Sequence, residues 1–463
     1  IMPSLVGSEM CIRDSPRAGA AYGGARFSST IVPSAGATPD SPPTASTGPR
    51  SPGRDPSPMG HQSTAPRVSV PLLIVFGTLS GIGPLATDMY LAAFPRMSED
   101  LDTQASTIQL TLSACMLGLA LGQLLIGPLS DQWGRRRPLM IGSAVCFLAS
   151  LGCALAPTVE VLIGFRLLMG LSGAAGIVLA RSMIADLTVG TQTTRYMNYM
   201  MMINGLAPVL APTVGGLILA VSTWRTVFWV LTAVTLLMAA AVFVLVPESL
   251  PAERRHSGGL RTVGRGVAAM VRRPRYVGFV IAFVLSFGTL FSYISGSTYV
   301  LQNVLGMSST AYALAFGANS LGILLFSVLS NALLSRTVPE RIAPVGLSIV
   351  AVSALTLLGL TLAGALSLPV VLVLLFLCAG CQGLIFGNIT SLALSQGRDY
   401  AGAASALLGC LQFGMGGLVS PLVGLGGDHA VAPMAISMSI CALAALTVFL
   451  TTRARTATHP QTT

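Results

Sequence analysis

Two charged side chains lie inside long apolar stretches of this sequence. Asp88 is the one charged residue of VPLLIVFGTLSGIGPLATDMYLAAFP (70–95), and Arg166 lies within GFRLLMGLSGAAGIVLARSMIADL (164–187). A charge in the hydrocarbon core of a membrane costs about 3 kcal/mol or more, and such residues are usually functional. Asp88 and Arg166 each lie about 10 Å inside the outer end of their own segment. This equal depth predicts that the two side chains meet at one level of a helix bundle.

A carboxylate close to an arginine can serve as a proton-coupling site. The arginine favours the ionised acid, whereas desolvation favours the protonated acid, so a small change in surroundings can move the proton. We therefore predict proton coupling at Asp88 and Arg166. A permanent ion pair that only holds two helices together is the alternative.

Four further charged residues lie where apolar segments reach an arginine-rich boundary. Asp131 and Arg135 follow one segment, and Arg181 and Asp186 end another at the same predicted level. Charged residues at such places generally pair with one another. These four residues are predicted to form a cytoplasmic gate, with purely structural pairing as the alternative.

Polar and aromatic side chains within the apolar segments are candidates for lining a substrate cavity. Each of them is as compatible with an interhelical hydrogen bond as with contact to a substrate. The candidates are Tyr90, Asn204, Tyr293, Asn319, Gln382, Asn388 and Gln412.

The composition indicates an integral membrane protein. Of the 463 residues, 53% are hydrophobic and 9% are charged, whereas soluble domains are about one quarter charged. Twelve apolar segments are long enough to cross a bilayer. Their predicted ranges are 70–94, 107–130, 138–156, 159–186, 195–221, 225–246, 276–301, 310–334, 342–366, 368–394, 401–426 and 430–451.

The halves of the chain resemble each other. GLAPVLAPTVGG (205–216) and GMGGLVSPLVG (414–424) are both glycine-rich runs interrupted by proline. Repeated halves are typical of transporters, which bind substrate between them. The predicted fold is an all-α membrane protein with 12 transmembrane helices in two six-helix pseudo-repeat halves, 67–246 and 276–452.

The distribution of arginine predicts the orientation. All 26 basic residues are arginines, and most lie in loops on one side. Arginine-rich loops stay in the cytoplasm, so both termini are expected there, and the basic side is expected to contact anionic lipid. Loops on the opposite side carry acidic residues, with Arg96 as the one clear basic residue. Because the positive charge follows the loops, nucleic-acid binding is excluded.

The segments outside the two halves have their own patterns. Residues 1–66 are rich in proline, serine, glycine and alanine, which predicts a disordered tail. SLVGSEMCIRDS (4–15) resembles translated sequencing-adapter read-through, so the native chain is expected to start at Met59. Residues 453–463 are predicted to be a cytoplasmic tail.

The linker 247–275 contains apolar residues at helical spacing. This spacing predicts an amphipathic helix on the cytoplasmic leaflet, and a solvated linker is the alternative. The residues are Leu260, Val263, Val267, Met270 and Val271.

Nothing in the sequence predicts an enzyme, a metal site or a cofactor. The four histidines lie in loops or tails, and Cys378 and Cys381 lie within an apolar segment without a histidine nearby. No nucleophile–histidine pair or phosphate-binding loop lies in the apolar segments. The expected energy source is the proton-motive force.

Several motifs resemble those of the major facilitator superfamily. GPLSDQWGRRRP (127–138) resembles its GxLxDRxGRR signature, with Gln132 where arginine is usual. The fourth segment resembles RxxxGxGAAxxxxxxRxxxxD, with Met169 and Ser172 at positions where glutamine and glycine are usual. The fifth segment resembles a motif associated with antiporters of this superfamily, with Ala211 where glycine is common. That motif comprises Gly205, Pro208, Pro212, Gly215 and Gly216.

Shorter stretches resemble the Bcr/CflA drug-resistance branch of this superfamily. They are TDMYLAAFP (87–95), STIQLTL (106–112) and FSYISGSTYVLQNVLGMS (291–308). The resemblance implies a monomer in the bacterial inner membrane that exports bicyclomycin, chloramphenicol-like compounds and sometimes sulfonamides or peptides in exchange for protons.

We expect drug–proton antiport by rocking of the two halves, in which Asp88 releases its proton as substrate binds. One alternative is a symporter of the same fold that imports a small metabolite. A second alternative is a membrane sensor or scaffold that does not transport.

Overall fold

The computed structural model describes residues 69–188, 191–255, 259–397, 400–425 and 431–458. The chain divides into two units, of which Ile1–Gln62 lies wholly outside the described residues. The second unit, Ser63–Thr463, contains every helix given below. The predicted disordered tail and the expected start at Met59 therefore lie outside the described residues.

The first half begins with a span made of two helices, α1 and α2. A short 3₁₀ turn at Leu91–Ala93 joins them. The helices of this half are α1 (Val70–Asp88), α2 (Phe94–Asp100), α3 (Ala105–Trp133), α4 (Arg136–Leu155), α5 (Val159–Leu187), α6 (Thr191–Val221) and α7 (Trp224–Leu245).

The second half follows the linker helix α8 (Gly259–Val271). Its first span continues beyond α9 into a π turn at Val300–Val304, and its fourth span is broken at Cys381 into two helices. The helices are α9 (Pro274–Tyr299), α10 (Ser309–Leu334), α11 (Pro339–Leu362), α12 (Leu368–Gly380), α13 (Gln382–Ser395), α14 (Ala401–Gly424) and α15 (Val431–Thr458).

The twelve predicted spans are found in the structure. Within the described ranges, eleven helices or helix pairs are long and apolar enough to cross a membrane. The twelfth span is α6, whose apolar part Leu206–Val221 is shorter. No strand occurs in the part of the chain that the structure describes, so the predicted all-α fold is confirmed.

Local sequence explains where several helices begin and end. The side chain of Ser69 accepts a hydrogen bond from the Leu72 N–H at the start of α1, and Ser308 does the same for Ala311 at the start of α10. Such caps satisfy N–H groups that have no partner inside the helix. At the other end of α3, Gly134 has a φ of +87°, which glycine adopts without steric strain.

Close helix contact within the first half depends on a small residue. Gly170 of α5 lies directly against the backbone oxygen of Cys115 in α3. Any side chain at this position would force the two helices apart. The glycine-rich fourth segment therefore explains why α3 and α5 form such an extensive contact.

The two halves meet mainly through α3 with α14 and α6 with α10. We call the end that contains Arg135 the arginine-rich face and the other end the opposite face. Near the opposite face, Gln109 Nε2 of α3 donates 3.3 Å to the Ser295 carbonyl of α9, and Ser420 Oγ of α14 donates 3.3 Å to the Gln109 carbonyl. We call these three residues the polar seal.

The linker contains the helix α8, and part of this helix contacts protein. Gly266 lies against Ala403 and Tyr400, and the fully buried Met270 lies against Gly397. Of the residues predicted to face lipid, Met270 therefore packs against protein, whereas Val271 is exposed. Helical spacing alone does not distinguish a lipid surface from a protein surface.

Candidate functional site

Arg166 is fully buried in α5 and contacts α1 and α3. Its Nη1 donates 2.7 Å to the carbonyl of Ala86, and its Nε donates 3.4 Å to the carbonyl of Thr111. Its guanidinium carbon lies 4.2 Å from the ring centre of Tyr90. Ala86 belongs to the last turn of α1, whose free carbonyls form the negative end of the helix dipole. Arg166 therefore closes the end of α1 and joins three helices.

Asp88 is the last residue of α1 and is 7% exposed. Its Oδ1 accepts a hydrogen bond of 2.9 Å from Thr87 Oγ1. None of the ion pairs found between described residues joins Asp88 to Arg166 in this conformation. Arg166 Nη1 binds the Ala86 carbonyl, whereas Arg166 Nη2 is buried without a hydrogen-bond partner among the described residues.

Two buried tyrosines of the second half take part in hydrogen bonds between α9 and α10. Tyr293 OH accepts 2.7 Å from Asn319 Nδ2, and Tyr312 OH accepts 2.9 Å from Thr298 Oγ1. These four residues form a buried polar cluster on α9 and α10.

Most of the predicted cavity residues make hydrogen bonds between helices. Gln382 of α13 exchanges two hydrogen bonds with Ser286 of α9, at 2.7 Å and 3.2 Å. Asn388 Nδ2 of α13 donates 2.7 Å to Ser330 Oγ of α10.

The other predicted cavity residues divide into three groups. The OH of Tyr90, which follows α1, lies 3.0 Å from Thr111 Oγ1 of α3. Asn319 of α10 donates to Tyr293 of α9. Gln412 is half-buried in α14. Asn204 belongs to α6, but its side chain lies outside what the structure describes. The interhelical alternative therefore holds for Tyr90, Tyr293, Asn319, Gln382 and Asn388 in this conformation.

The antiporter-type motif lies in α6, which runs unbroken through Pro208 and Pro212. Gly215 lies against the backbone of Met89, next to Asp88, and Gly216 lies against Ala313 of α10. The glycines therefore let α6 approach both α1 and α10. The surroundings of Gly205 lie outside the described residues.

Three of the four predicted gate residues form one ion network. Arg135 Nη1 lies 2.6 Å from Asp131, and Arg135 Nε lies 3.1 Å from Asp186. Arg181 is not part of it, since no ion pair between described residues includes this side chain. All of these contacts lie within the first half, so the network does not close the two halves against each other here.

Glu248 is a fourth member of the network and was not among the residues predicted from the sequence. Its Oε1 accepts 2.8 Å from the Arg135 N–H, and its Oε2 lies 3.6 Å from Arg255 Nη2. The neighbouring Ser249 donates 3.1 Å to Asp186. The missed signal was an acidic residue directly after the sixth apolar segment, at the same boundary as Arg135.

A cavity of about 310 Å³ lies between the halves at the arginine-rich face. We call it the arginine-side cavity. Helices α3, α5, α8 and α14 form its walls. Its charged and polar lining residues are Asp131, Arg135, Arg181, Gln123, Ser182 and Ser405.

The opposite face contains a second basic residue besides Arg96, namely Arg225. Arg225 Nη1 lies 2.5 Å from Asp100 Oδ2, and the same oxygen accepts 2.8 Å from Trp224 Nε1. Arg96 Nη1 donates 2.6 Å to the Leu219 carbonyl in the last turn of α6. Both arginines therefore bind groups of the protein near the ends of α2 and α6.

Metal-binding side chains do not gather in the described part of the chain. No group of three or more histidine, cysteine, aspartate or glutamate residues could hold a metal ion there. The seven cysteines that the structure describes are all free thiols, including Cys378 and Cys381.

Comparison with known proteins gives consistent matches. Residues 76–421 match the sequence model of the Major Facilitator Superfamily. The chain is 33% identical over 387 residues to the uncharacterized MFS-type transporter YdgK of Bacillus subtilis, covering 83% of this chain and 96% of that protein. It is 28% identical to a bicyclomycin resistance protein homolog of Haemophilus influenzae, covering 82% and 96%. The fold resembles the crystal structure of a D-xylose–proton symporter, with a TM-score of 0.63 and 18% sequence identity. The match covers 82% of this chain and 97% of the symporter chain.

Proposed function

Because this chain belongs to the major facilitator superfamily and is a transporter rather than an enzyme, we propose that it exports small drug-like molecules in exchange for protons. The chain is a relative of Bcr/CflA-type efflux transporters, as the motifs around Asp88 and the bicyclomycin resistance homolog indicate. Bicyclomycin and chloramphenicol-like compounds are the proposed cargo.

The observation that carries the proposal is the placement of Asp88. This carboxyl group is nearly fully buried, yet among the described residues it accepts only from a neighbouring hydroxyl and forms no ion pair. Charged side chains within membrane spans typically mark ion or substrate pathways. Burial favours the protonated acid and a nearby arginine favours the ionised acid, so a change in surroundings can move the proton.

The proposed cycle uses rocking of the two halves. In the conformation that opens the arginine-side cavity, drug enters and Asp88 releases its proton toward the cytoplasm. The halves then tilt, the polar seal opens, and reprotonation of Asp88 accompanies release of the drug. Arg166 stabilises the ionised carboxylate during the part of the cycle in which the proton is absent.

The proton-motive force is sufficient for this work. One charge that crosses 100 mV is worth about 2.3 kcal/mol. At about 1.4 kcal/mol per factor of ten, this supports roughly a 50-fold gradient of a neutral drug. A pH gradient adds to it.

Drug-induced proton release from the purified protein tests the proposal. We expect chloramphenicol or bicyclomycin to release protons from the wild type but not from Asp88→Asn, which has no proton to release at this position. Asp102→Asn is the matched control, because Asp102 is an exposed acid near the opposite face. Proton release that is the same in Asp88→Asn as in the wild type would contradict the proposed role.

Resistance in a host without its own efflux pumps distinguishes export from import. The wild type should raise the inhibitory concentration of at least one drug of a broad panel, and Asp88→Asn should not. A wild type that confers no resistance but accelerates uptake of a metabolite would favour the symporter.

The proposed location is the bacterial inner membrane, with both termini in the cytoplasm and the protein acting as a monomer. The arginine-rich face would then contact anionic cytoplasmic lipid, for which the exposed Trp133 and Arg137 are well placed. Reporter fusions at the carboxyl terminus would test this orientation, since a cytoplasmic reporter must be active and a periplasmic one silent.

A further inference from the structure

The arginine-side cavity carries a net positive charge on its walls. Its charged lining residues are Asp131, Arg135 and Arg181. Arg135 is already engaged, since it pairs with Asp131 at 2.6 Å and with Asp186 at 3.1 Å. Arg181 is therefore the cationic group of the wall that remains available to a ligand.

Arg181 has a hydrogen-bond donor without an acceptor. Its Nε is buried, and within the described ranges this atom has no hydrogen-bond partner. A buried donor that makes no hydrogen bond carries a desolvation cost. The Nε of Arg181 is therefore not committed to another group among the described residues.

The wall opposite Arg181 adds a second source of positive potential. Gly402, Ala403 and Ser405 from the first turns of α14 line the cavity. The residue that precedes this helix, Tyr400, makes no side-chain hydrogen bond to it. The first N–H groups of a helix have no acceptor within it and form the positive end of its dipole. An anion between α5 and α14 would therefore be favoured from both sides.

We infer that the arginine-side cavity binds a small organic anion, whose carboxylate or similar planar oxyanion lies between Arg181 and the first turn of α14. A guanidinium group presents parallel N–H donors that match the two oxygens of a carboxylate. The size of the cavity, about 310 Å³, suits a small molecule. Apolar wall residues would contact the organic part, namely Ile177, Val178, Val263 and Ala406.

This inference adds small organic anions to the cargo proposed above, and it rests on the proposed export function only in treating the anion as cargo. The binding itself is a property of the cavity. It can be measured without transport.

Equilibrium binding to the purified full-length protein in lipid nanodiscs tests the inference. The probes are 2-naphthoate and its neutral counterpart 2-naphthamide, at neutral pH and constant salt. We expect the wild type to bind naphthoate about tenfold or more tightly than naphthamide, because hydrogen bonds to ionised groups are roughly twice as strong as neutral ones. Equal affinities for the two probes would overturn the inference.

Two variants test whether Arg181 is the source of the preference for naphthoate over naphthamide. Arg181→Gln should bind naphthoate no better than naphthamide and keep the wild-type affinity for naphthamide. The matched control Arg336→Gln removes an exposed arginine from the loop between α10 and α11 and should keep the preference. A preference that survives Arg181→Gln would overturn the inference.

A third variant decides the matter if Arg181→Gln does not fold. Arg181→Lys keeps the charge but loses the paired donors, so naphthoate should bind more weakly than to the wild type, with naphthamide unchanged. Unchanged naphthoate binding in this variant would count against the inference.

The test separates this inference from the proposed function. A protein that releases protons on binding chloramphenicol but shows no carboxylate preference retains the export function and loses the anion site. A protein with the preference but without drug-linked proton release retains the anion site and loses the antiport proposal.

Discussion

The guanidinium group of Arg166 is held by the carbonyls of Ala86 and Thr111 and by the ring of Tyr90. Three helices therefore depend on one side chain that has no carboxylate partner in the described structure. This arrangement leaves Asp88 without a direct counter-ion. At the residue scale, Arg166 is held by backbone carbonyls, whereas Asp88 accepts a hydrogen bond from Thr87 alone among the described residues.

Replacement of Arg166 by lysine should show that the shape of this side chain matters as well as its charge. Lysine cannot donate to two carbonyls and lie against a ring at the same time. We expect Arg166→Lys to lose about 2 kcal/mol or more of folding free energy and most of its transport. Thermal unfolding in detergent and drug efflux in vesicles are the measurements.

The exposed Arg265 of α8 provides the matched control for this substitution. Arg265→Lys should unfold at the wild-type temperature and transport normally. If Arg166→Lys behaved like Arg265→Lys, the carbonyl contacts would have no energetic importance.

Sequence identifies some residues of the site and misses others for a physical reason. Asp88 and Arg166 are conspicuous because charge is rare in apolar segments. Gln382 and Asn388 look equally suited to substrate, and only the structure reveals Ser286 and Ser330 as their partners. Polarity is a property of one residue, whereas a hydrogen bond requires knowledge of two helices.

At the scale of elements, small residues decide which helices approach most closely. Gly170 allows the backbones of α3 and α5 to touch at Cys115. Gly164 lies in the same helix but has open space where a Cβ would be. Two glycines of one helix thus differ only in what surrounds them.

Alanine substitutions at these two glycines should have opposite effects. Gly170→Ala should destabilise the protein by about 1–3 kcal/mol, because the added methyl group would clash with the Cys115 backbone of α3, and relieving the clash requires the two helices to move apart. Gly164→Ala should stabilise it by about 0.5–1 kcal/mol, because glycine is unfavourable inside a helix. Chemical or thermal unfolding of both variants checks this, and equal effects would refute the close contact.

The apolar pattern predicts where a membrane span begins and ends, but it does not predict interruptions of the helix within a span. The predicted segment 159–186 compares with α5 at Val159–Leu187. The segment 368–394 gave no sign of its interruption at Cys381, which separates α12 from α13. A continuous run of apolar residues fixes the length of a span, whereas a local change of backbone conformation depends on neighbouring helices.

At the scale of the whole molecule, the interface between the halves differs at its two ends. Near the opposite face, the polar seal and a hydrogen bond of 3.3 Å from Gln302 to the Ala92 carbonyl join the halves. At the arginine-rich face, the cavity separates them. This asymmetry is what a transporter loading at the arginine-rich face requires.

Cross-linking of the polar seal tests whether the halves must separate there. A double variant with Gln109→Cys and Ser420→Cys, treated with a short bifunctional methanethiosulfonate, should lose transport. Reductant should restore it by cleaving the link. Each single variant treated in the same way is the control and should remain active. Undiminished transport in fully cross-linked protein would exclude opening at this face.

The chain passes from one half to the other only once within the described structure, through the segment that carries α8. This helix itself contacts α14, α3 and α9. The surfaces between the halves, from α3 against α14 to α6 against α10, consist of residues outside that connecting segment. Two separately encoded polypeptides, divided between Arg255 and Gly259, should therefore find each other in the bilayer and reconstitute a working protein.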